Sequence, residues 1–169
     1  SKLAPLGLSF DAWNFLTQIP ELVEFSRAFP ETTIIMNHLG GPVGIGPYAG
    51  RQDELFAVWQ QNITQLSGCE NVVLKLGGLG MPHAGYGWHE QELPPGSDMV
   101  AAAYRPYCLH AIEKFGPERC MFESNFPVDK LSMSYHVLWN AFKLVATDFS
   151  ADEKKALFSG TAERVYRLG

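Results

Sequence analysis

Thr32-Thr-Ile-Ile-Met-Asn37 runs straight into His38-Leu-Gly-Gly-Pro42, and this junction decides how the chain is read. The first segment is rich in β-branched residues and almost continuously apolar, which suits a parallel strand covered on both faces. The second stops the strand and leaves an imidazole at its mouth. The same succession recurs on both sides. Upstream, Leu8-Ser-Phe-Asp-Ala12 reads as a short strand. Residues 20–28 read as a helix, with Pro20 in the first turn and Leu22, Val23 and Phe25 near helical spacing. Downstream come a helix over residues 53–66, a strand over 71–76, and Gly77-Gly-Leu-Gly80 opening an irregular stretch to about Gly96. A helix over 99–115 follows, which Pro106 begins, bends or divides. Residues 119–123 form a fourth strand, and 124–129 its loop. Helices over 135–146 and 151–159 close the chain, the second opened by a capping box of Ser150 and Glu153, with a last turn over 161–166.

Strand and helix thus alternate four times, an α/β pattern that fits either a doubly wound sheet or part of a barrel. In each unit Gly, His and Pro residues gather just after the strand, the end at which both architectures bind ligands. Nucleotide binding has little support. Gly44-Ile-Gly46 and Gly77-Gly-Leu-Gly80 match phosphate loops poorly, and no Gly-Lys-Ser/Thr is present.

With 169 residues, 46% of them hydrophobic and 18% charged, the chain reads as one folded domain over 1–169. A net charge of -5 with scattered Lys and Arg gives no basic stripe for nucleic acid. No apolar run approaches 18 residues, so no membrane partner is expected, and the cytoplasm is the default compartment. Cys69, Cys108 and Cys120 contain no Cys-x-x-Cys and read as buried or half-buried thiols. Ser1, with no initiator methionine and a strand soon after it, reads as a start made by processing or cutting.

Several residues can carry chemistry. His38 is placed to bind a metal, act as a base or hydrogen-bond a substrate oxygen; its plainer role is to tie one loop to the next. Lys75 lies near the end of an apolar strand, where it either meets a substrate anion or snorkels outward. Glu123, Ser124, Asn125 and Asp129 form a polar rim, with Glu123 and Asn125 on one face by strand alternation. A carboxylate there can hold the His38 tautomer, ligate a metal or activate water. Asp129 with Lys130 also reads as a plain surface ion pair. His83 and His89, the latter beside Glu90, sit in a long loop of a kind that often binds ligands, and read either as substrate contacts or as ordinary loop residues, the plainer reading. Arg51 can clamp a carboxylate. Trp13 and Trp88 are the tryptophans nearest the strand mouths, whereas His110 and His136 fall on helices and read as structural.

At His38-Leu-Gly-Gly-Pro, Asn71-Val-Val-Leu-Lys-Leu-Gly-Gly-Leu and Cys120-Met-Phe-Glu-Ser-Asn-Phe-Pro-Val-Asp, the chain resembles the amidohydrolase-related family. These are metal-dependent TIM-barrel hydrolases that include sugar-lactone and pyrone-dicarboxylate lactonases, and the likeness reaches the terminal Thr-Ala-Glu-Arg-Val-Tyr-Arg-Leu. The resemblance implies a partial (β/α)8 barrel, with strands five to eight present. His38 would stand at the sixth strand, Lys75 in the seventh, and Asn125 where the family has an acidic metal ligand or general base. Two departures stand out. Asn125 is neutral, and the fifth-strand histidine of many members falls near Leu16. The first-strand His-x-His pair would lie upstream of Ser1. A divalent metal such as zinc therefore belongs, if anywhere, to a complete protein rather than to this chain alone.

The implied function is hydrolysis of a lactone or related C–O or C–N bond, inactive without the N-terminal half. His38, Asn125 and Glu123 would be catalytic, and Lys75, Arg51, His83, His89, Trp13 and Asp129 would bind a small carboxylate or lactone. Decarboxylation of an aromatic or unsaturated carboxylate is one alternative, and a non-catalytic half-barrel interaction module is another. Half a barrel exposes two strand edges, so a separate N-terminal half or self-association is expected to cover them.

Overall fold

The four apolar segments pair side by side in the order in which they occur. In the computed structural model, which describes residues 2–168, β1 (Phe10–Ala12), β2 (Ile34–Met36), β3 (Val72–Leu76) and β4 (Cys120–Phe122) form one parallel sheet in sequence order. Ser1 and Gly169, and with them the reading of the chain's start and both ends of the 1–169 domain, lie outside the described residues. The strand order never reverses, so the sheet lacks the switch point of a doubly wound fold.

The two faces of the sheet differ. Ala12, Ile34, Met36, Val72, Leu74, Leu76, Cys120 and Phe122 join the main core, beneath α1 (Ile19–Ala28), α2 (Gln52–Ser67), α3 (Ser97–Phe115) and α4 (Tyr135–Val145). Full burial of an Ile or Leu contributes about 1.5–3 kcal/mol, so this layer carries much of the stability. On the opposite face Ile35, Val73 and Met121 form a small second cluster, covered by Ala162 and Val165 of α6 (Thr161–Tyr166). Register places Asp11 beside Ile35 and Lys75 beside Met121 on that same face. Among the described residues β1 and β4 each pair on one side only, and Leu6, Leu8 and Phe10 near the β1 edge are exposed.

Of the alternatives open for Pro106, starting and dividing the helix fall away, because α3 runs through it. Its ring lies on the exposed face, where water can satisfy the carbonyl that loses its helical partner. The expected helix over 151–159 is α-helical only as α5 (Ala151–Lys155) and continues as a π-helical segment, Ala156–Gly160. The wider turn re-phases the chain. It buries Ala156 and Leu157 in the core side and lets α6 reach the other face. The Ser150 capping box forms as expected. All three cysteines are buried and free, and among the described residues no helix is long and apolar enough to cross a membrane.

Candidate active site

β2 ends in a turn that few side chains tolerate. His38 (φ 56°) and Leu39 (φ 54°) both occupy the left-handed region, at a cost of about 1–2 kcal/mol for each L-residue. Two contacts hold them there. The His38 backbone N–H donates to Glu123 Oε1 at 2.9 Å. From α2, the indole N–H of buried Trp59 donates to the Leu39 carbonyl at 2.6 Å. The same Glu123 oxygen lies 2.6 Å from His38 Nδ1. An ionised carboxylate only accepts, so Nδ1 is the donating nitrogen, and in the neutral ring it is Nε2 that holds the lone pair. With side chains 14% and 15% exposed, the pair is sheltered but not sealed from solvent. His38 and Glu123 thus meet although 85 positions separate them.

The loop after β3 makes room for them. A Cβ on Gly77 would collide with Glu123, one on Gly78 would lie 2.6 Å from His38 Cβ, and one on Gly80 would lie 2.7 Å from Asp129 Cγ. Gly77-Gly-Leu-Gly80 matches phosphate loops poorly because its glycines accommodate side chains rather than a ligand's phosphate.

After β4 the expected alternation breaks down. The strand ends at Phe122, and Asn125 (φ 51°) turns left-handed, so pleat geometry no longer relates it to Glu123. Its amide donates to Asp129 Oδ1 at 2.7 Å. The Phe126–Pro127 peptide bond is cis. Asp129 is not half of a surface ion pair: it is fully buried. Gly80 N–H lies 3.2 Å from its Oδ2, and the Tyr104 hydroxyl of α3 lies 3.5 Å from the same oxygen. Burial pushes the Asp129 pKa up to about 6, partly opposed by the Asn125 and Gly80 hydrogen bonds and by the charge of His38, while Glu123 adds to the rise.

The remaining candidates separate. Trp13 packs edge-on against Phe15 (4.9 Å between centroids) and His83 (6.1 Å). Burial, and then the charge of His38, hold the His83 pKa below its ordinary value, so its neutral ring lies in the same neighbourhood. Lys75 neither snorkels nor stands free. Its amine bonds Asp11 at 2.7 Å, and the Tyr166 hydroxyl donates to the same Asp11 oxygen at 2.8 Å. Burial works against the Lys75 charge, yet Asp11, Tyr166 and the charge of Glu123 raise its pKa overall. Arg51 is engaged by Glu54 through contacts of 2.9 and 2.6 Å at the start of α2. His89 lies 3.6 Å from Glu90. His110 bridges to Gln60 and Thr64, and His136 pairs with Asn140.

Sequence reasoning missed Trp59, Tyr104 and Asp11. Asp11 had a signal, since an acid inside an apolar strand needs a partner and Lys75 was available. Trp59 and Tyr104 lie on helices and look like ordinary core residues until their polar atoms are traced.

Residues 1–168 match the amidohydrolase family. The chain belongs to that family. An uncharacterized protein, y4mH, of Sinorhizobium fredii is 39% identical over 167 residues, covering 99% of this amidohydrolase chain and 50% of the relative. An L-fucono-1,5-lactonase of Burkholderia multivorans is 30% identical over 161 residues, covering 94% of the chain and 51% of the lactonase. A crystal structure of a Burkholderia multivorans amidohydrolase with bound Zn superposes with a TM-score of 0.84 at 27% identity, covering 99% of this chain and 55% of that one. The chain therefore spans about half the length of the relatives it matches.

The residues of this amidohydrolase chain do not by themselves fit such a metal. Among the described residues no group of three His, Cys, Asp or Glu side chains is placed to hold one. Asp129 is enclosed by Gly80, Asn125 and Tyr104, and Leu16, near the expected fifth-strand histidine, is buried in the core and carries no ligand atom.

Proposed function

We propose that this chain supplies strands five to eight of a (β/α)8 barrel enzyme that opens the ring of a lactone, the other strands coming from an N-terminal half that pairs with the free edges of β1 and β4. The observation that carries the reading is the His38–Glu123 pair at the mouths of β2 and β4, where one carboxylate oxygen takes both the backbone and the ring N–H of His38. The named lactonase among the relatives supports a sugar lactone as the substrate class.

In this reading Glu123 fixes the imidazole and stabilises its protonated form, as a carboxylate does in hydrolytic triads. His38 Nε2 takes a proton from water as the water oxygen bonds to the lactone carbonyl carbon. The ring C–O bond then breaks, and the same proton passes to the departing alkoxide. The product is a hydroxy acid. Trp13 and the neutral His83 wall one side of the site. Lys75 and Arg51 are each neutralised by a carboxylate, which favours an uncharged lactone over a dicarboxylate.

The test is turnover of aldono-1,5-lactones by the full gene product, followed by proton release, with His38→Ala and Glu123→Gln beside the wild type. Loss of the charge-assisted bond in Glu123→Gln is worth about 1.5–3 kcal/mol, or roughly a 10- to 150-fold fall in kcat. His38→Ala should abolish turnover while the circular dichroism spectrum stays unchanged. Folded His38→Ala protein that turns over lactone at the wild-type rate would refute the reading.

A further inference from the structure

The loop after β4 holds a second polar pair that the steps above do not use. Because the Asp129 carboxylate accepts only, its 2.7 Å contact identifies which end of the Asn125 amide is nitrogen. The amide carbonyl oxygen is thereby turned away from Asp129. Asp129 is in turn held from several directions. Gly80 N–H faces its Oδ2, and the Tyr104 hydroxyl oxygen already accepts from Leu79 N–H at 2.8 Å, leaving its own proton for Asp129. A fully buried carboxylate so enclosed does not itself reach a substrate. Asn125 is only half-buried.

The surroundings place this amide at the site. Asn125 follows Glu123 by two residues, and the loop that meets Asp129 at Gly80 meets His38 at Gly78. The charges of His38 and Glu123 are both felt at Asp129.

We propose that Asp129 is a positioning residue that locks the Asn125 amide, so that the Asn125 carbonyl oxygen acts beside His38 as the second hydrogen-bond acceptor for the attacking water. The inference rests on the lactone-opening reading. A water molecule has two O–H bonds. His38 Nε2 accepts the one whose proton is transferred, and Asn125 Oδ1 accepts the other, which stays with the oxygen and becomes part of the new carboxyl group. With both hydrogens engaged, a lone pair of the water is aimed at the carbonyl carbon. Asn125 gains and loses no proton.

The experiment uses the full gene product with an uncharged aldono-1,5-lactone and compares Asn125→Ala, Asp129→Asn and the double variant Asn125→Asp/Asp129→Asn. Each is checked first for wild-type circular dichroism and cooperative unfolding. Asn125→Ala should lower kcat by about 10- to 100-fold and change KM by less than about 3-fold, because the amide orients water rather than substrate. Asp129→Asn should show the same split, since two facing amides no longer dictate which end of residue 125 is oxygen. The double variant restores a carboxylate–amide bond with an acceptor oxygen at 125 and should recover most of kcat. A merely structural Asp129 would lower the folded fraction without this split or recovery. If Asp129→Asn does not fold, Asn125→Ala decides alone. Wild-type kcat in folded Asn125→Ala overturns the inference while His38→Ala remains inactive, so the dyad reading survives. A wild-type protein that opens no lactone overturns both.

Discussion

Replacing Gly78 by alanine tests whether the loop after β3 is shaped by the histidine it faces. Gly78 sits at φ 82°, and a Cβ there would lie 2.6 Å from His38 Cβ and 3.0 Å from both His38 Cγ and Met81 Cε. Two costs follow. An L-residue in left-handed backbone costs about 1–2 kcal/mol, and forcing an extra carbon into a filled space costs about 1–3 kcal/mol. The total is about 2–5 kcal/mol. Gly50→Ala supplies the control, because Gly50 has a similar φ of 74° with nothing within 4 Å of its added Cβ. That variant carries only the backbone cost. The entropy removed from the unfolded chain by a Gly-to-Ala change is common to both and cancels. Urea unfolding of the two proteins, compared at a common m-value, should therefore place Gly78→Ala about 1–3 kcal/mol below Gly50→Ala. Equal midpoints would show that His38 does not press on this loop and would refute the account of Gly77-Gly-Leu-Gly80 given above.

Two further outcomes follow from the groups around Asp129. Tyr104→Phe removes the oxygen that accepts Leu79 N–H at 2.8 Å inside the core, and by unfolding midpoint it should cost about 1–3 kcal/mol; a cost under about 0.5 kcal/mol would show that the hydroxyl is not needed there. Asp129 is an acid whose folded pKa is raised, to about 6, so the unfolded chain gives up its proton first. The associated stability is fully present below about pH 4 and is lost as pH rises to about 6, a difference of about 3 kcal/mol. Urea unfolding across that window should show wild-type stability falling relative to Asp129→Asn, and parallel profiles would contradict it.

The two inner strands were legible because they are written as largely apolar runs that break at His38-Leu-Gly-Gly and at Gly77-Gly. Ile34, Ile35 and Met36 are all buried, as a continuous run requires when both faces are covered. His38 and Glu123 were legible as residues at strand mouths. Their contact was not, since it depends on β2 and β4 flanking β3 across a separation of 85 positions. Asp129 was misjudged for a physical reason. Asp-Lys in a loop looks solvated, and what encloses it is Tyr104, reaching from a helix to the Gly80 turn, together with Gly80 and Asn125. The π-helical segment was invisible because its residues, Ala156 to Gly160, carry no signal that separates a wide turn from an α-helical one.

The departure at residue 125 makes sense in charge terms. The resemblance leads one to expect an acid there, yet this chain has amide where carboxylate would stand 2.7 Å from Asp129 and two residues from Glu123. Three carboxylates that close cannot all ionise, and the shared proton would come at the expense of the Glu123 charge that fixes His38 or of the Asp129 charge that accepts from Gly80 and Tyr104. A neutral amide avoids the conflict. It donates to Asp129, relieving part of the cost of burying that charge, and keeps an oxygen acceptor for the open side of the site. The carboxylate of this chain stands at 123, where it serves a histidine directly. Asn125 and Glu123 thus work as one arrangement, and Gly77 is its third member, because any side chain there would collide with Glu123.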